Sequence, residues 1–63
     1  MIAYEVIESL TIGSWVGYSW WGHCQVKEIH TENGNCGQYI LLEDVKGNIK
    51  SVSFRLFSKH GRL

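Results

Sequence analysis

Four large aromatic side chains, Trp15, Tyr18, Trp20 and Trp21, fall within seven residues of one another. Successive positions of a strand point to opposite faces, and the interior of a small β domain holds few such rings, so they cannot all face inward. An exposed ring can anchor a protein interface, bind a proline-rich peptide, cage a cation or stack on a nucleic-acid base. We therefore interpret this aromatic segment, together with Tyr39, as a candidate protein-docking surface.

A purely structural interpretation of the same residues stays open. Trp21 and Tyr18 would then close the ends of the domain, and Trp15 would lie flat over Gly17 or Gly22. Under that interpretation the rings contribute apolar contact area to stability and bind nothing.

Charge is distributed unevenly along a chain whose formal net charge is zero. Residues 1–45 hold all six acids and one base, which gives −5, and residues 46–63 hold five bases and no acid, which gives +5. A neutral total removes the simplest argument for nucleic-acid binding. The basic end still offers an alternative function, nucleic-acid binding assisted by aromatic stacking. Its candidate residues are Lys50, Arg55, Lys59, His60 and Arg62.

Two ordinary explanations compete with that alternative. The acidic and basic parts could pair across neighbouring first and last strands. Charges on an edge strand or tail also deter aggregation.

No local signature of catalysis is present in the sequence. Cys24 follows His23, but neighbours on a strand point to opposite faces, so the thiol is expected to be buried and unreactive. The possible metal ligands contain no pair at the spacing of structural zinc sites. If the chain turns at Asn33-Gly34, position 24 pairs near position 43, and a disulfide from Cys24 to Cys36 is disfavoured. We expect no enzyme activity, no cofactor and no metal.

The chain contains seven glycines and no proline. The glycines divide it into short apolar segments, a pattern typical of β domains. No window carries apolar residues at helical spacing over three turns without a glycine. A bulge near Lys27 or Glu28 would reconcile the apolar pattern around it. The predicted elements are strands over 1–7, 12–18, 24–29, 38–45 and 49–56, a hairpin loop over 30–37, a tight turn over 46–48 and a helical turn or tail over 57–63.

The alternation within these strands predicts which side chains face the core. The inward sets are Ile12, Val16 and Tyr18, and then Val52, Phe54 and Leu56. Trp15 takes the outward parity. In the strand over 38–45 both parities are apolar, with Ile40 and Leu42 on one face and Tyr39 and Leu41 on the other. Such a strand is covered on both sides or shared with a partner, so a homodimer is an open possibility.

Five short strands in 63 residues need a closed or nearly closed sheet to cover a core and protect their edges. We predict one all-β domain over residues 1–63, a small five-stranded barrel with a short C-terminal turn or tail. The chain has no run of 18 apolar residues and no signal-like N-terminus, so we expect a cytoplasmic location without membrane contact.

The strand pattern resembles SH3-like barrels of the KOW and Tudor kind. The residues that carry this resemblance are 12–18, 22–29, 42–48 and 52–56. Members of that superfamily commonly bind peptides, modified side chains, other proteins or nucleic acid, and few are enzymes. The chain lacks the additional glycines and basic residues of a typical KOW motif. The resemblance implies a binding module and not an enzyme. Surplus aromatic surface on a chain of zero net charge favours an adaptor or inhibitor-like module that docks on another protein.

Overall fold

The computed structural model describes residues 1–32 and 37–63. Along the chain lie a short helix, four strands, a second helix and a final two-residue strand. They are α1 (Tyr4–Glu8), β1 (Trp15–Tyr18), β2 (Gly22–His30), β3 (Tyr39–Asp44), β4 (Ile49–Ser53), α2 (Phe54–His60) and β5 (Gly61–Arg62).

The five strands form one antiparallel sheet in the order β4-β3-β2-β1-β5. The prediction of a small all-β domain with five strands is confirmed. Within the described residues the two end strands, β4 and β5, do not pair with each other, so hydrogen bonding does not close the sheet into a barrel. The likeness to SH3-like barrels stays a prediction.

The core lies on one face of the sheet and beneath the two helices. Ten apolar side chains form one buried cluster, with α2 supplying Phe54 and Phe57 and α1 supplying Ile7. The strands supply the other seven: Val16, Tyr18, Cys24, Val26, Ile40, Leu42 and Val52. Val16 and Tyr18 of β1 and Val52 of β4, which were predicted to face inward, are thus buried, and Trp15 is exposed as predicted.

The predicted bulge is confirmed at Lys27. The register of β2 on β3 shifts between Val26, which pairs with Leu42, and Glu28, which pairs with Leu41. One extra residue on β2 changes the parity, so Ile29 pairs with buried Ile40 and packs against the core.

The predicted first strand over 1–7 is wrong, because Tyr4–Glu8 is a helix. Its apolar residues do not alternate cleanly, and one helical turn buries Ile7 completely while Val6 remains exposed. The segment is fixed to α2, since the Ile2 N–H donates to the Ser58 carbonyl at 2.9 Å and the Ser58 hydroxyl donates to the Ile2 carbonyl at 2.6 Å. Ile12 was expected inward but is 55% exposed, since it lies in the turn before β1.

The predicted strand over 49–56 ends earlier, at Ser53. The Ser53 hydroxyl accepts a hydrogen bond from the Leu56 N–H at 3.1 Å and so caps the N-terminus of α2. Phe54 and Phe57 then share the buried face of a helix, and Leu56 is exposed. The C-terminal turn or tail is therefore the end of α2 followed by β5, which pairs with β1.

β3 lies inside the sheet, with both of its edges paired. Tyr39 and Leu41 are half-buried on its outer face. A homodimer through this strand would use that face and not a free edge; it stays a prediction. The Asn33-Gly34 turn and Cys36 lie outside the described residues.

Candidate functional site

Trp20 and Trp21 lie in the hairpin turn that joins β1 to β2. Tyr18 pairs with Gly22, and the Trp21 N–H donates to the Tyr18 carbonyl at 3.2 Å. Gly22 has φ of 69°, the left-handed conformation that often follows the turn of a three-residue hairpin loop. The backbone conformation of Gly22 therefore helps to set the direction of the Trp20 and Trp21 side chains.

We expect Gly22→Ala to destabilise the fold by about 1 kcal/mol, because a Cβ atom is disfavoured in the left-handed region. No described atom lies within 4 Å of the added Cβ, so backbone strain is the whole effect. Urea unfolding measures it. Gly17→Ala is the matched control, since φ there is not positive and the new Cβ would approach Arg62 Cβ only to 3.6 Å. Equal losses in both variants would contradict the role given to Gly22.

The turn rests on a stack of rings that runs from the core to the surface. The Tyr18 side chain is 4% exposed, and its ring lies parallel to the Phe57 ring at 6.1 Å and stacks on the Trp21 ring at 4.7 Å. Burial raises the pKa of Tyr18, so its phenol stays neutral. The Trp20 ring is tilted against Tyr18 at 5.3 Å and is 63% exposed. Tyr18 is thus a support, and Trp20 is the exposed anchor.

The C-terminal end of α2 holds the other side of the turn. The Ser19 N–H and the Ser19 hydroxyl both donate to the His60 carbonyl, at 3.1 and 2.9 Å. These two hydrogen bonds hold the end of α2 against the turn, where the His60 ring lies 4.7 Å from the Trp20 ring. Trp20 is therefore held on two sides while much of its surface faces solvent.

A groove of about 330 Å³ lies beside the two tryptophans. Its opposite wall is the turn between β3 and β4, which comes close because Cys24, near the start of β2, pairs with Asp44, at the end of β3. We call it the tryptophan–lysine groove. It is lined by Trp20, Trp21, Asp44, Val45, Lys46, Asn48 and Lys50.

The charges in this groove are one carboxylate and two ammonium groups. The Lys50 Nζ lies over the Trp21 ring, 5.1 Å from its centroid, in a cation–π contact. Asp44 Oδ1 accepts from the N–H groups of Asn48 and Lys46, both at 2.9 Å, and Oδ2 lies 3.5 Å from the Asn48 Nδ2. The hydrogen bonds from Asn48 and Lys46 hold the pKa of Asp44 below its ordinary value. Its charge therefore organises the turn.

Two of the predicted docking residues lie elsewhere. Trp15 is 57% exposed, but it has the parity opposite to Tyr18 and lines a second groove of about 510 Å³ with Gly17, His23 and Arg62. Tyr39 stacks on His30 with ring centroids 4.5 Å apart, at the far end of β2. Tyr18 also lines that second groove. The structure thus brings Trp20 and Trp21 together on Tyr18, places Trp15 in a different groove from the two tryptophans, and places Tyr39 in neither.

The candidate basic residues are also divided. Lys50 is in the tryptophan–lysine groove, His60 contacts Trp20, and Arg62 lines the second groove. Arg55 and Lys59 are exposed four residues apart on α2. No one described surface holds all five.

The sequence left open that acids of residues 1–45 pair with bases of residues 46–63. No such ion pair occurs among residues 1–32 and 37–63. The ion pairs of residues 1–32 and 37–63 join Lys27 to Glu43 at 2.9 Å and His30 to Glu28 and Glu32 at 2.6 and 3.7 Å. All of these residues precede residue 46. The bases that follow are left to face solvent or other groups.

Cys24 is a buried free thiol, as expected. Burial raises its pKa, the nearby Asp44 carboxylate adds to that rise, and Lys50 opposes it. His23 is exposed on the opposite face of β2. Where the chain is described, no three His, Cys, Asp or Glu residues are grouped so that they could hold a metal ion.

Sequence reasoning missed five contributors to the site, Ser19, Asp44, Val45, Lys46 and Asn48. The expected pairing of position 24 near position 43 already placed the 46–48 turn opposite the start of β2. That register was the available signal for the second wall of the groove. Nothing local in the sequence indicated that Ser19 would bond to the His60 carbonyl.

Comparison with models of known protein families, with curated proteins and with solved structures found no match. Neither described helix, of five and seven residues, is long and apolar enough to cross a membrane. A function must therefore be inferred from the chemistry of the groove itself.

Proposed function

We propose that this chain is a non-catalytic binding module, an adaptor or inhibitor, that docks on another protein through the tryptophan–lysine groove. The observation that carries the proposal is the state of Trp20. Its side chain is 63% exposed although the rings of Tyr18 and His60 hold it in place.

A fixed, exposed indole favours association for two reasons. It offers a large apolar surface to bury, and a ring already held by its neighbours loses little conformational entropy on binding. Tryptophans are enriched among the interface residues that dominate binding energy, especially where the partner excludes water from them. Trp20 beside a groove meets that description.

The polar groups of the groove support binding over catalysis. Asp44, its one carboxylate, accepts hydrogen bonds at Oδ1 from two backbone N–H groups of its own turn, so it is poorly placed to act as a general base. Apart from Asp44, the described lining residues give Lys46 and Lys50 no neighbouring acid and no hydroxyl or thiol nucleophile.

Replacing the anchor tests the proposal. We expect Trp20→Ala to weaken binding by about 30-fold or more, the effect of losing an interface hot spot, while the fold is preserved. The intact domain, Trp20→Ala and Trp15→Ala would be used to capture partners from a lysate with and without nuclease. The captured protein would then be purified, and its affinity for each variant measured.

Trp15→Ala is the matched control, since Trp15 is similarly exposed but lies in the second groove. We expect it to bind normally. Backbone amide spectra of all three proteins report the fold. Normal binding by a folded Trp20→Ala variant would reject the proposal, as would binding lost in step with the folded state.

Nucleic acid is the second candidate, supported by the positions of Lys50 and His60 beside the two tryptophans. It predicts retention that disappears with nuclease and affinity that falls steeply with salt. The separation of Arg55, Lys59 and Arg62 from the groove makes it the weaker candidate. The cytoplasmic location stays a prediction.

A further inference from the structure

The acid in the tryptophan–lysine groove has little capacity for an incoming ligand. Asp44 Oδ1 already accepts two backbone N–H groups, and Oδ2 faces the Asn48 amide. A ligand cation would have only Oδ2 to approach, where it would compete with the Asn48 amide. The charges left to act on a partner are those of the two lysines.

Those lysines form no ion pair with a carboxylate of the described chain, although Lys50 and Asp44 line the same groove and attract each other electrostatically. No carboxylate there lies within ion-pair distance of Lys46 or Lys50. Glu43, which precedes Asp44, instead pairs with Lys27 at 2.9 Å. The groove therefore presents net positive charge even though the whole chain is neutral.

Lys50 also determines which ligands can approach the face of the Trp21 ring. Two adjacent indoles alone would suit a cationic ligand, but the Lys50 Nζ lies over the Trp21 ring at 5.1 Å. An incoming cation would meet an occupied ring face and like-charge repulsion. An incoming carboxylate would meet the ammonium groups of Lys50 and Lys46.

We infer that the occupant of this groove is an acidic peptide segment of a partner protein. Its carboxylates pair with Lys46 and Lys50, and a neighbouring apolar side chain covers Trp20. This inference rests on the proposed docking function and adds the sign of the partner's charge. Opposite charges at the rim of an interface raise association rates and select against wrong partners.

A protein segment suits the groove better than a nucleic-acid strand does. Two lysines beside one exposed indole match a few carboxylates around one apolar residue. A nucleic-acid backbone carries a charge at every nucleotide. Proteins that bind it present a positively charged groove that runs along that backbone. The remaining bases here, Arg55, Lys59 and Arg62, are not part of the groove lining.

The test is a titration of the isotope-labelled domain followed by nuclear magnetic resonance, with three probes. They are the capped peptide Gly-Glu-Glu-Phe-Glu-Glu-Gly, its counterpart with lysine in place of every glutamate, and a short oligothymidine. At about 5 mM the acidic peptide should shift the indole signals of Trp20 and Trp21 and the amides of residues 44–50. The lysine peptide should leave them unchanged, and the oligothymidine should bind more weakly than the acidic peptide.

Charge reversal provides the matched comparison. We expect the Lys46→Glu/Lys50→Glu double variant to bind the acidic peptide about tenfold more weakly, whereas Arg55→Glu/Lys59→Glu, which reverses two exposed charges on α2, should have little effect. Lys46→Glu alone repeats the test at an exposed site in case the double variant unfolds.

Several results would overturn the inference. They are shifts of Trp20 and Trp21 by the lysine peptide, tighter binding of oligothymidine at the same residues, no response to the acidic peptide, and equal losses in the two double variants. A captured partner that needs Trp20 but is unaffected by Lys46→Glu would reject the acidic segment and keep the docking function. A partner that does not need Trp20 would reject both.

Discussion

Gly61→Ala is expected to destabilise the domain by about 2–3 kcal/mol, the upper part of the range found for overpacked cores. A Cβ atom at position 61 would lie 2.6–2.7 Å from three atoms of the Phe57 ring. That ring is fully buried and parallel to the Tyr18 ring, so it has little room to move. The φ angle at Gly61 is −88°, which any residue adopts, so the effect is steric.

Thermal and urea unfolding of Gly61→Ala would measure this loss, which corresponds to a fall of about 10–20 °C in the melting temperature of so small a domain. Gly17→Ala again serves as control, with its closest new contact at 3.6 Å. Adding Phe57→Leu to Gly61→Ala should cost less than the sum of the two single changes, because the smaller side chain relieves the clash. Wild-type stability for Gly61→Ala, or full additivity in the double variant, would contradict this account.

Ile7→Ala is expected to lower the free energy of unfolding by about 2–5 kcal/mol, the usual loss when a large buried aliphatic side chain is truncated. Ile7 is fully buried in the core cluster, although its helix has only five residues. Much of the stability of a 63-residue domain would be lost. Urea unfolding followed by fluorescence would measure the change.

Val6→Ala is the control for Ile7→Ala, since Val6 is the preceding residue of the same helix and is 38% exposed. We expect a loss of less than about 1 kcal/mol there. The strand predicted from the sequence had no clean alternation, so it did not indicate which of these two neighbours would face the core. Similar losses at both positions would mean that α1 does not cover the core as described.

The sheet was largely predictable because its signals are local. A period of two assigned Val16 and Tyr18 to one face and Trp15 to the other without knowledge of the rest of the fold. In the next strand, a break in the period of two predicted a bulge near Lys27 or Glu28, and the bulge lies at Lys27. The Lys46-Gly47-Asn48 turn carries its own signal, since Gly47 adopts a φ of 88°.

The helices were not predictable in the same way. α1 and α2 have five and seven residues, too few for a 3.6-residue period to stand out. Phe54 fits a strand that continues from Val52 as well as it fits a helix with Phe57. The Ser53 hydroxyl bond to the Leu56 N–H favours the helix, and it shows only in three dimensions.

The exposed anchor could be anticipated, but its surroundings could not. Crowding of rings in so short a segment already indicated that at least one tryptophan would lie outside, and Trp20 does. Which other residues join it depends on how separate turns meet. Trp15 and Tyr39 were grouped with it from sequence because both are aromatic, and the sheet separates them.

The bonds from Ser19 to the His60 carbonyl join parts of the chain that are 41 residues apart. With the 44–50 turn as the third contributor, the proposed docking surface is assembled from separate parts of the chain, and no short linear segment of it could reproduce that surface. A synthetic peptide covering residues 15–21 would contain Trp20 and Trp21. It would lack His60, whose carbonyl accepts the Ser19 hydrogen bonds, and the two lysines of the groove. If the proposed function holds, recognition is coupled to folding. Apparent affinity then scales with the folded fraction, so a core substitution that unfolds half of the molecules also halves the apparent affinity without changing the proposed interface.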